Sequence, residues 1–193
     1  MRVILASASP RRKEIFGEIC PKFEIIPARG EEKANGALSP EQLVKELAFQ
    51  KAREIADEVF SSGENALVLG SDTVVSLDGA VLGKPKNEAD AVAMLTALSG
   101  RTHEVFTGVC FIRLYAGKEE LALTADCTKV EFETLTRRQI DDYVKTGSPM
   151  DKAGAYGIQD GGLVKALQGS YSNVVGLPEE LTRELFNTLY IPD

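Results

Sequence analysis

The segment from Ser7 to Arg12 combines residue types that bind phosphate groups, and it directly follows a short apolar run. Ser9 and Pro10 predict the N-cap and first residue of a helix. Free backbone N–H groups and the positive end of the helix dipole then point at one spot. Arg11 and Arg12 are unfavourable in a first helical turn unless an anion offsets them, and a guanidinium group suits phosphate oxygens. The alternative is an ordinary N-cap with two solvated arginines, and the spacing alone favours neither.

Asp72 and Thr73 come just after a predicted buried strand over residues 66–70. In open α/β sheets, ligands bind outside the ends of such strands. An aspartate there holds a divalent cation or takes a proton from water. The alternative is an aspartate that only shapes a turn. The apolar runs on both sides favour a functional role.

Lys51 interrupts the apolar face of a predicted helix. Ser39 and Gln42 form a capping box at the start of that helix. Lys51 is four residues after Leu47 and seven after Val44, which puts it on the apolar side. A lysine at such a position either extends along the surface to water or points its ammonium group into a cleft. The first outcome is the commoner one.

The segment 151–159 contains small residues that let a ligand approach the backbone closely, and it ends in Gln159. The amide of Gln159 offers both a donor and an acceptor to the edge of a nucleobase. The alternative is a flexible loop. Lys84 and the pair Glu31-Glu32 are further candidates, although each alone is more typical of a plain surface charge.

The composition restricts the class of protein. The chain has 193 residues, of which 44% are hydrophobic and 26% charged, with a net charge of −7. We therefore expect one substantial core and no broad basic face for nucleic acid. No apolar run is long enough for a signal peptide or a membrane span, so a cytoplasmic protein is expected. Three cysteines without C-x-x-C spacing predict buried thiols, and neither a P-loop nor a Rossmann glycine motif occurs.

The order of predicted elements indicates an α/β fold. Strands are expected over residues 2–6, 23–26, 66–70 and 163–167, with a hairpin over 74–82 and a long antiparallel pair over 102–133. Helices are expected to start after Ser9, Ser39, Asn87 and Thr136 and to cover 178–189. No repeat or linker is visible, so a single α/β domain over residues 1–193 with a mixed sheet is predicted.

Several runs of the sequence together resemble the Maf family of nucleoside triphosphate pyrophosphatases. They are spread in order over residues 4–178. The runs are ILASASPRRKEI, the Glu31-Glu32-Lys33 loop, LAFQKA, VLGSDTVV, LGKP, LSGRTHEVFTGV, MDKAGAYGIQ and VVGLP.

This resemblance implies a single elongated α/β domain, with a strongly twisted mixed sheet flanked by helices and a deep cleft, distantly like inosine triphosphate pyrophosphatases. It implies hydrolysis of a nucleoside triphosphate to the monophosphate and pyrophosphate with Mg²⁺ or Mn²⁺, clearing such nucleotides from the pool, and a possible homodimer. The family's catalytic aspartate falls on Asp72, which with the loop acid Glu32 would hold the metal. The expected substrate-binding residues are Ser7, Arg11, Arg12, Lys51, Thr73, Lys84 and Gln159.

Three positions resemble the branch of the family that acts on dTTP and UTP. They are Arg11 directly after proline, Thr73 after the aspartate, and Gln159 at the end of the Gly-Ile-Gln run. One departure is Asp160, because a glycine usually follows that glutamine. Asp160 is expected to add a negative charge beside the pocket. The alternative function is a non-catalytic nucleotide-binding regulator of septum formation.

Overall fold

The computed structural model describes residues 1–30 and 38–192. Within these residues, seven strands form one sheet. The strands are β1 (Arg2–Leu5), β2 (Glu24–Ile25), β3 (Ala66–Leu77), β4 (Ala80–Leu82), β5 (Thr102–Tyr115), β6 (Lys118–Phe132) and β7 (Val164–Gln168). Their order in the sheet is β2-β1-β3-β5-β6-β7, and β4 also pairs with β3. The strand β1 is parallel to β2 and β3, whereas the other pairs are antiparallel.

The helices are α1 (Pro10–Ile19), α2 (Pro40–Ser62), α3 (Glu88–Leu98), α4 (Arg137–Lys145), α5 (Tyr171–Val175) and α6 (Glu179–Leu189). The first four begin where their capping residues predict. Ser9, Asn87 and Thr136 each accept a hydrogen bond from a backbone N–H of the first turn, and Ser39 forms the complete capping box with Gln42. The helix α5, one turn and a half long, was not predicted.

Helices cover both faces of the sheet. On one face, α2 packs Ile55 and other apolar residues against β1, β3 and β5. On the other face, Phe16 of α1 and Phe186 of α6 pack with Phe111 of β5. A third cluster joins α3 and α4 to the opposite end of the long strands. The predicted α/β fold with a mixed sheet flanked by helices is confirmed.

The strand β3 is longer than predicted, and this changes the position of Asp72. Instead of ending at Gly70, the strand continues to Leu77, and Asp72 pairs with Gly108 of β5 in the middle of it. On the other edge of β3, pairing with β1 stops at Leu69 and pairing with β4 begins at Val75. Asp72 therefore lies where one edge of β3 is left open between two neighbouring strands.

One further expectation needs correction. Cys20 and Cys110 are buried as predicted, but Cys127 is exposed on β6. The segment after α4 contains short 3₁₀ turns over Ser148–Asp151, Ala153–Ala155 and Ile158–Asp160. Within the described ranges, no helix is both long and apolar enough to cross a membrane.

Candidate active site

A cleft of about 780 Å³ opens at the gap in the edge of β3. It brings together every predicted site residue that the structure describes, although these residues are up to 152 positions apart in the chain. Glu32 lies outside the described residues. The predicted residues that line the cleft are Ser7, Arg11, Arg12, Lys51, Asp72, Thr73, Lys84 and Gln159.

Lys51 and Asp72 form an ion pair inside the cleft. The Lys51 Nζ atom on α2 donates a hydrogen bond to Asp72 Oδ1 on β3 at 2.5 Å. Only 16% of the lysine side chain and 13% of the aspartate side chain are exposed. Lys51 therefore points into the cleft rather than along the surface to water, as one of its two predicted alternatives required.

The helix α2 comes close to Asp72 because two strand positions opposite it lack a side chain. A Cβ atom on Gly70 would lie 2.3 Å from the Ala48 carbonyl oxygen, and one on Gly108 would lie 2.2 Å from the Val44 carbonyl oxygen. Distances this short exclude any residue but glycine unless the helix moves. The two glycines thus set the height of Lys51 above the sheet.

Arg12 folds back from the start of α1 onto the end of the cleft near α5. Its Nε donates to the Gly176 carbonyl oxygen at 2.8 Å, and its Nη2 donates to Thr73 Oγ1 at 3.0 Å. Thr73 Oγ1 lies 3.0 Å from Thr107 Oγ1, which in turn donates to the Asn173 carbonyl oxygen at 2.9 Å. The hydroxyl of Thr73 therefore supports the Arg12 guanidinium group.

The loop that precedes α1 is organised around two serine hydroxyls. Ser7 Oγ accepts from the Ser9 backbone N–H at 3.2 Å and from Arg12 Nη1 at 3.4 Å. Ser9 Oγ accepts from the Arg12 backbone N–H at 3.4 Å, as expected of an N-cap. The segment is thus a regular helix cap, and its two arginines line the cleft instead of extending into solvent.

Asp151 and Lys152 are cleft residues that the sequence analysis did not select. Asp151 Oδ2 accepts from Arg11 Nη1 at 3.4 Å, and Asp151 Oδ1 accepts from Lys152 Nζ at 2.8 Å. Burial alone would raise the pKa of Asp151, but the hydrogen bond and charge of Lys152 and the charge of Arg11 lower it overall. Their sequence signals were their place at the head of the glycine-containing segment and in the run MDKAGAYGIQ.

A backbone contact places Lys84 at the cleft. The Gly154 N–H donates to the Gly83 carbonyl oxygen at 3.0 Å, which joins the turn at Ala153–Ala155 to the residue before Lys84. Gly154 has a φ of 68°, and a Cβ there would lie 2.8 Å from Val75 Cγ2. This glycine is required by both its backbone conformation and its packing.

The carboxylates of the cleft suit hard divalent cations such as Mg²⁺ and Mn²⁺, which prefer oxygen ligands. Within residues 1–30 and 38–192, no three His, Cys, Asp or Glu side chains converge on one point. Mg²⁺ is commonly held by one or two carboxylates, with water and substrate phosphates completing its shell. A single cleft carboxylate such as Asp72 is compatible with that mode of binding.

Comparison with known proteins agrees with the resemblance seen in the sequence. The family model described as "Maf-like protein" matches residues 2–189. A dTTP/UTP pyrophosphatase of Clostridium perfringens (strain 13 / Type A) is 46% identical over 183 residues, which covers 92% of each chain. A dTTP/UTP pyrophosphatase of Thermococcus gammatolerans is 48% identical over 185 residues, which covers 95% of this chain and 94% of the relative.

Among solved structures, the Ham1 protein of Staphylococcus aureus resembles this chain with a TM-score of 0.47 and 16% identity, over 69% of this chain and 73% of that one. The family match is far more extensive, because it takes in all but a few residues at either end. The chain therefore belongs to the Maf family.

Proposed function

We propose that this protein hydrolyses dTTP and UTP to the nucleoside monophosphate and pyrophosphate. The observation that carries the proposal is the Lys51–Asp72 ion pair in a cleft that Arg11, Arg12 and Lys84 also line. A carboxylate in a cation-rich cleft suits attack by water on a phosphoanhydride bond. Relatives of this chain at 46 and 48% identity are named dTTP/UTP pyrophosphatase.

The chemical step divides among the cleft residues. Asp72 takes a proton from a water molecule, and the water oxygen forms a bond to the α-phosphorus. The bond from the α-phosphorus to the bridging oxygen breaks, and pyrophosphate leaves with the electron pair. Lys51 orients the carboxylate and adds positive charge beside the reacting phosphate.

The other cations hold the triphosphate in line for this attack. The Arg12 guanidinium group is fixed by the Gly176 carbonyl and Thr73, so little reorganisation is needed when the substrate binds. Arg11 and Lys84 supply further charge from separate segments of the chain. Ser7 places its hydroxyl at the same helix N-terminus, where phosphate oxygens are favoured.

Asp72, together with Glu32, would hold Mg²⁺ or Mn²⁺ in the substrate complex. When bound, such a cation neutralises phosphate charge and stabilises the leaving pyrophosphate. Gln159, which lines the cleft, is the residue whose amide suits the edge of a pyrimidine. Removing contaminating or unwanted pyrimidine nucleotides from the nucleotide pool is the proposed role of this reaction.

The test is to incubate the purified protein with dTTP, UTP, CTP, GTP and 7-methyl-GTP in the presence of Mg²⁺ and to measure pyrophosphate. We expect release from dTTP and UTP above the other three nucleotides. Release from 7-methyl-GTP alone would contradict the substrate assignment. Tight nucleotide binding without pyrophosphate from any of the five would instead favour a non-catalytic regulator.

A further inference from the structure

Gln159 lies in a short turn that needs outside support. The 3₁₀ turn spans Ile158–Asp160 and is closed by one hydrogen bond, from the Asp160 N–H to the Gly157 carbonyl oxygen at 3.1 Å. Gly161 and Gly162 follow with φ values of 73° and 72°. Three-residue turns beside glycines have little intrinsic stability. Contacts with the rest of the fold must therefore hold Gln159 in place.

The hydroxyl of Tyr143 contacts the chain on both sides of Gln159. It accepts a hydrogen bond from the Gly157 N–H at 3.0 Å and donates one to Asp160 Oδ2 at 2.5 Å. A bond from a hydroxyl to a carboxylate is stronger than one between neutral groups. Tyr143 belongs to α4, so a single side chain of a regular helix fixes both ends of the turn.

A second hydroxyl supports the same carboxylate oxygen. Ser148 Oγ donates to Asp160 Oδ2 at 2.7 Å, and Lys152 Nζ donates to the Ser148 carbonyl oxygen at 2.6 Å. Burial alone would raise the pKa of Asp160, but the hydrogen bonds from Tyr143 and Ser148 lower it overall. The Asp160 carboxylate is thus bound toward α4, while Gln159 lines the cleft.

We propose that Tyr143 and Asp160 form a clamp that positions Gln159 for recognition of the base. This inference rests on the proposed function. It gives a role to Asp160, which stands where the family resemblance predicts a glycine. The charge of Asp160 acts through the backbone of the turn instead of through direct contact with the nucleotide, so both members of the clamp are positioning residues.

Binding of three probes separates this role from a general loss of structure. The probes are α,β-imido-dTTP, α,β-imido-dGTP and inorganic tripolyphosphate. The two nucleotides are not cleaved at the α–β position that the enzyme is proposed to attack, because nitrogen replaces the bridging oxygen there. In Tyr143→Phe and Asp160→Ala, we expect the affinity for α,β-imido-dTTP to fall about tenfold, as for loss of a charge-assisted hydrogen bond. The affinity for tripolyphosphate, which has no base, should not change.

Two more variants sharpen the test. Asp160→Asn keeps an acceptor oxygen and should recover much of the affinity for α,β-imido-dTTP. Asp142→Asn removes an acid from the exposed side of the same helix, where it pairs with Arg138, and should bind all probes as the wild type does. The double variant of Tyr143 and Asp160 should lose no more affinity than the stronger single variant, because both changes release the same turn.

Equal losses for tripolyphosphate and α,β-imido-dTTP would overturn the clamp, as would unchanged binding of α,β-imido-dTTP in both single variants. Equal binding of the two imido nucleotides by the wild type would also overturn it, because no base recognition would exist to be positioned. The proposed function fails separately, if the wild type releases no pyrophosphate from dTTP or UTP.

Discussion

The Nζ atom of Lys51 lies 2.5 Å from Oδ1 of Asp72 and joins the middle of α2 to the middle of β3. The two residues face each other because α2 rests directly on β3 and β5, with backbone contacts at Gly70 and Gly108. The edge of β3 beside Asp72 is open to the cleft, because pairing with β1 stops at Leu69 and pairing with β4 begins at Val75. The ion pair therefore depends on how the strands pair and how α2 packs on them, as well as on the two residue types.

Replacing Asp72 by asparagine tests its role as the general base. We expect Asp72→Asn to lose hydrolysis of dTTP by at least about a hundredfold, the usual contribution of a general base. Binding of α,β-imido-dTTP should persist, because the cations that hold the phosphates remain. Steady-state kinetics and calorimetry measure the two quantities. Near-normal turnover in this variant would show that Asp72 is not the general base.

Replacing Lys51 by methionine removes the ammonium group but keeps a side chain of similar length on α2. We expect kcat/KM for dTTP to fall by about a hundredfold, as for loss of one electrostatic contact to the reacting group. Lys45→Met is the matched control, since Lys45 lies on the same helix and pairs with Glu41. If both variants lost activity to the same extent, the effect would belong to the helix and not to the cleft.

The close approach of α2 to the sheet gives a prediction about stability. Gly70→Ala places a methyl group 2.3 Å from the Ala48 carbonyl oxygen, and it should lower the free energy of unfolding by about 3 kcal/mol. Hydrolysis should fall as well, because the helix that carries Lys51 must move. Urea denaturation measures the loss of stability.

Gly17→Ala is the control for this substitution. Apart from the neighbouring backbone of α1 itself, no heavy atom of the described residues lies within 4 Å of a Cβ at Gly17, which is inside α1. Alanine is favoured over glycine in a helix, so this variant should gain about 0.5 to 1 kcal/mol. Equal stabilities of the two alanine variants would show that α2 does not rest on Gly70 as described.

The local signals of the sequence predicted the elements well. Ser9, Ser39, Asn87 and Thr136 mark helix starts because their side chains bond to the backbone within three residues, so nothing distant is needed. The turn at Asp78 has φ of 52°, as the Asp-Gly pair predicts. The continuity of β3 through Asp72 was missed, because polar residues at an open sheet edge resemble the end of a strand.

Long-range partners in the cleft had much weaker signals. One acceptor that holds Arg12 is the carbonyl oxygen of Gly176, and the sequence gives no signal for it because every residue type carries such an atom. Asp160 was expected to add charge beside the pocket. Its partner Tyr143 is 17 residues away on a helix, and its partner Ser148 is 12 residues away on another turn. Such pairs follow only from how the segments pack.

His103 provides a prediction about pH. It is 1% exposed on β5, its Nε2 atom lies 2.8 Å from the hydroxyl of Tyr156, and its ring meets that of Phe132 at 5.0 Å. Its Nδ1 atom has no hydrogen-bond partner within the described residues. Burial lowers the pKa of His103 to about 4. The folded protein therefore holds this ring neutral, while in the unfolded chain it binds a proton near pH 6.5.

Between these two values the unfolded chain binds more protons than the folded one, so stability must fall as the pH drops from about 6.5 toward 4. The shift in the pKa of His103 predicts that the free energy of unfolding falls by about 3 kcal/mol over that window. Above the window, His103 contributes no pH dependence. The glutamine of His103→Gln does not titrate and can still form a hydrogen bond to Tyr156. The free energy of unfolding of this variant should therefore fall by about 3 kcal/mol less than that of the wild type over the same window. Denaturant unfolding of both proteins at several pH values measures the difference between their free energies of unfolding. The contribution of the carboxylates is common to both proteins and cancels in that difference. Parallel stability curves for the two proteins would show that His103 does not titrate as its burial requires.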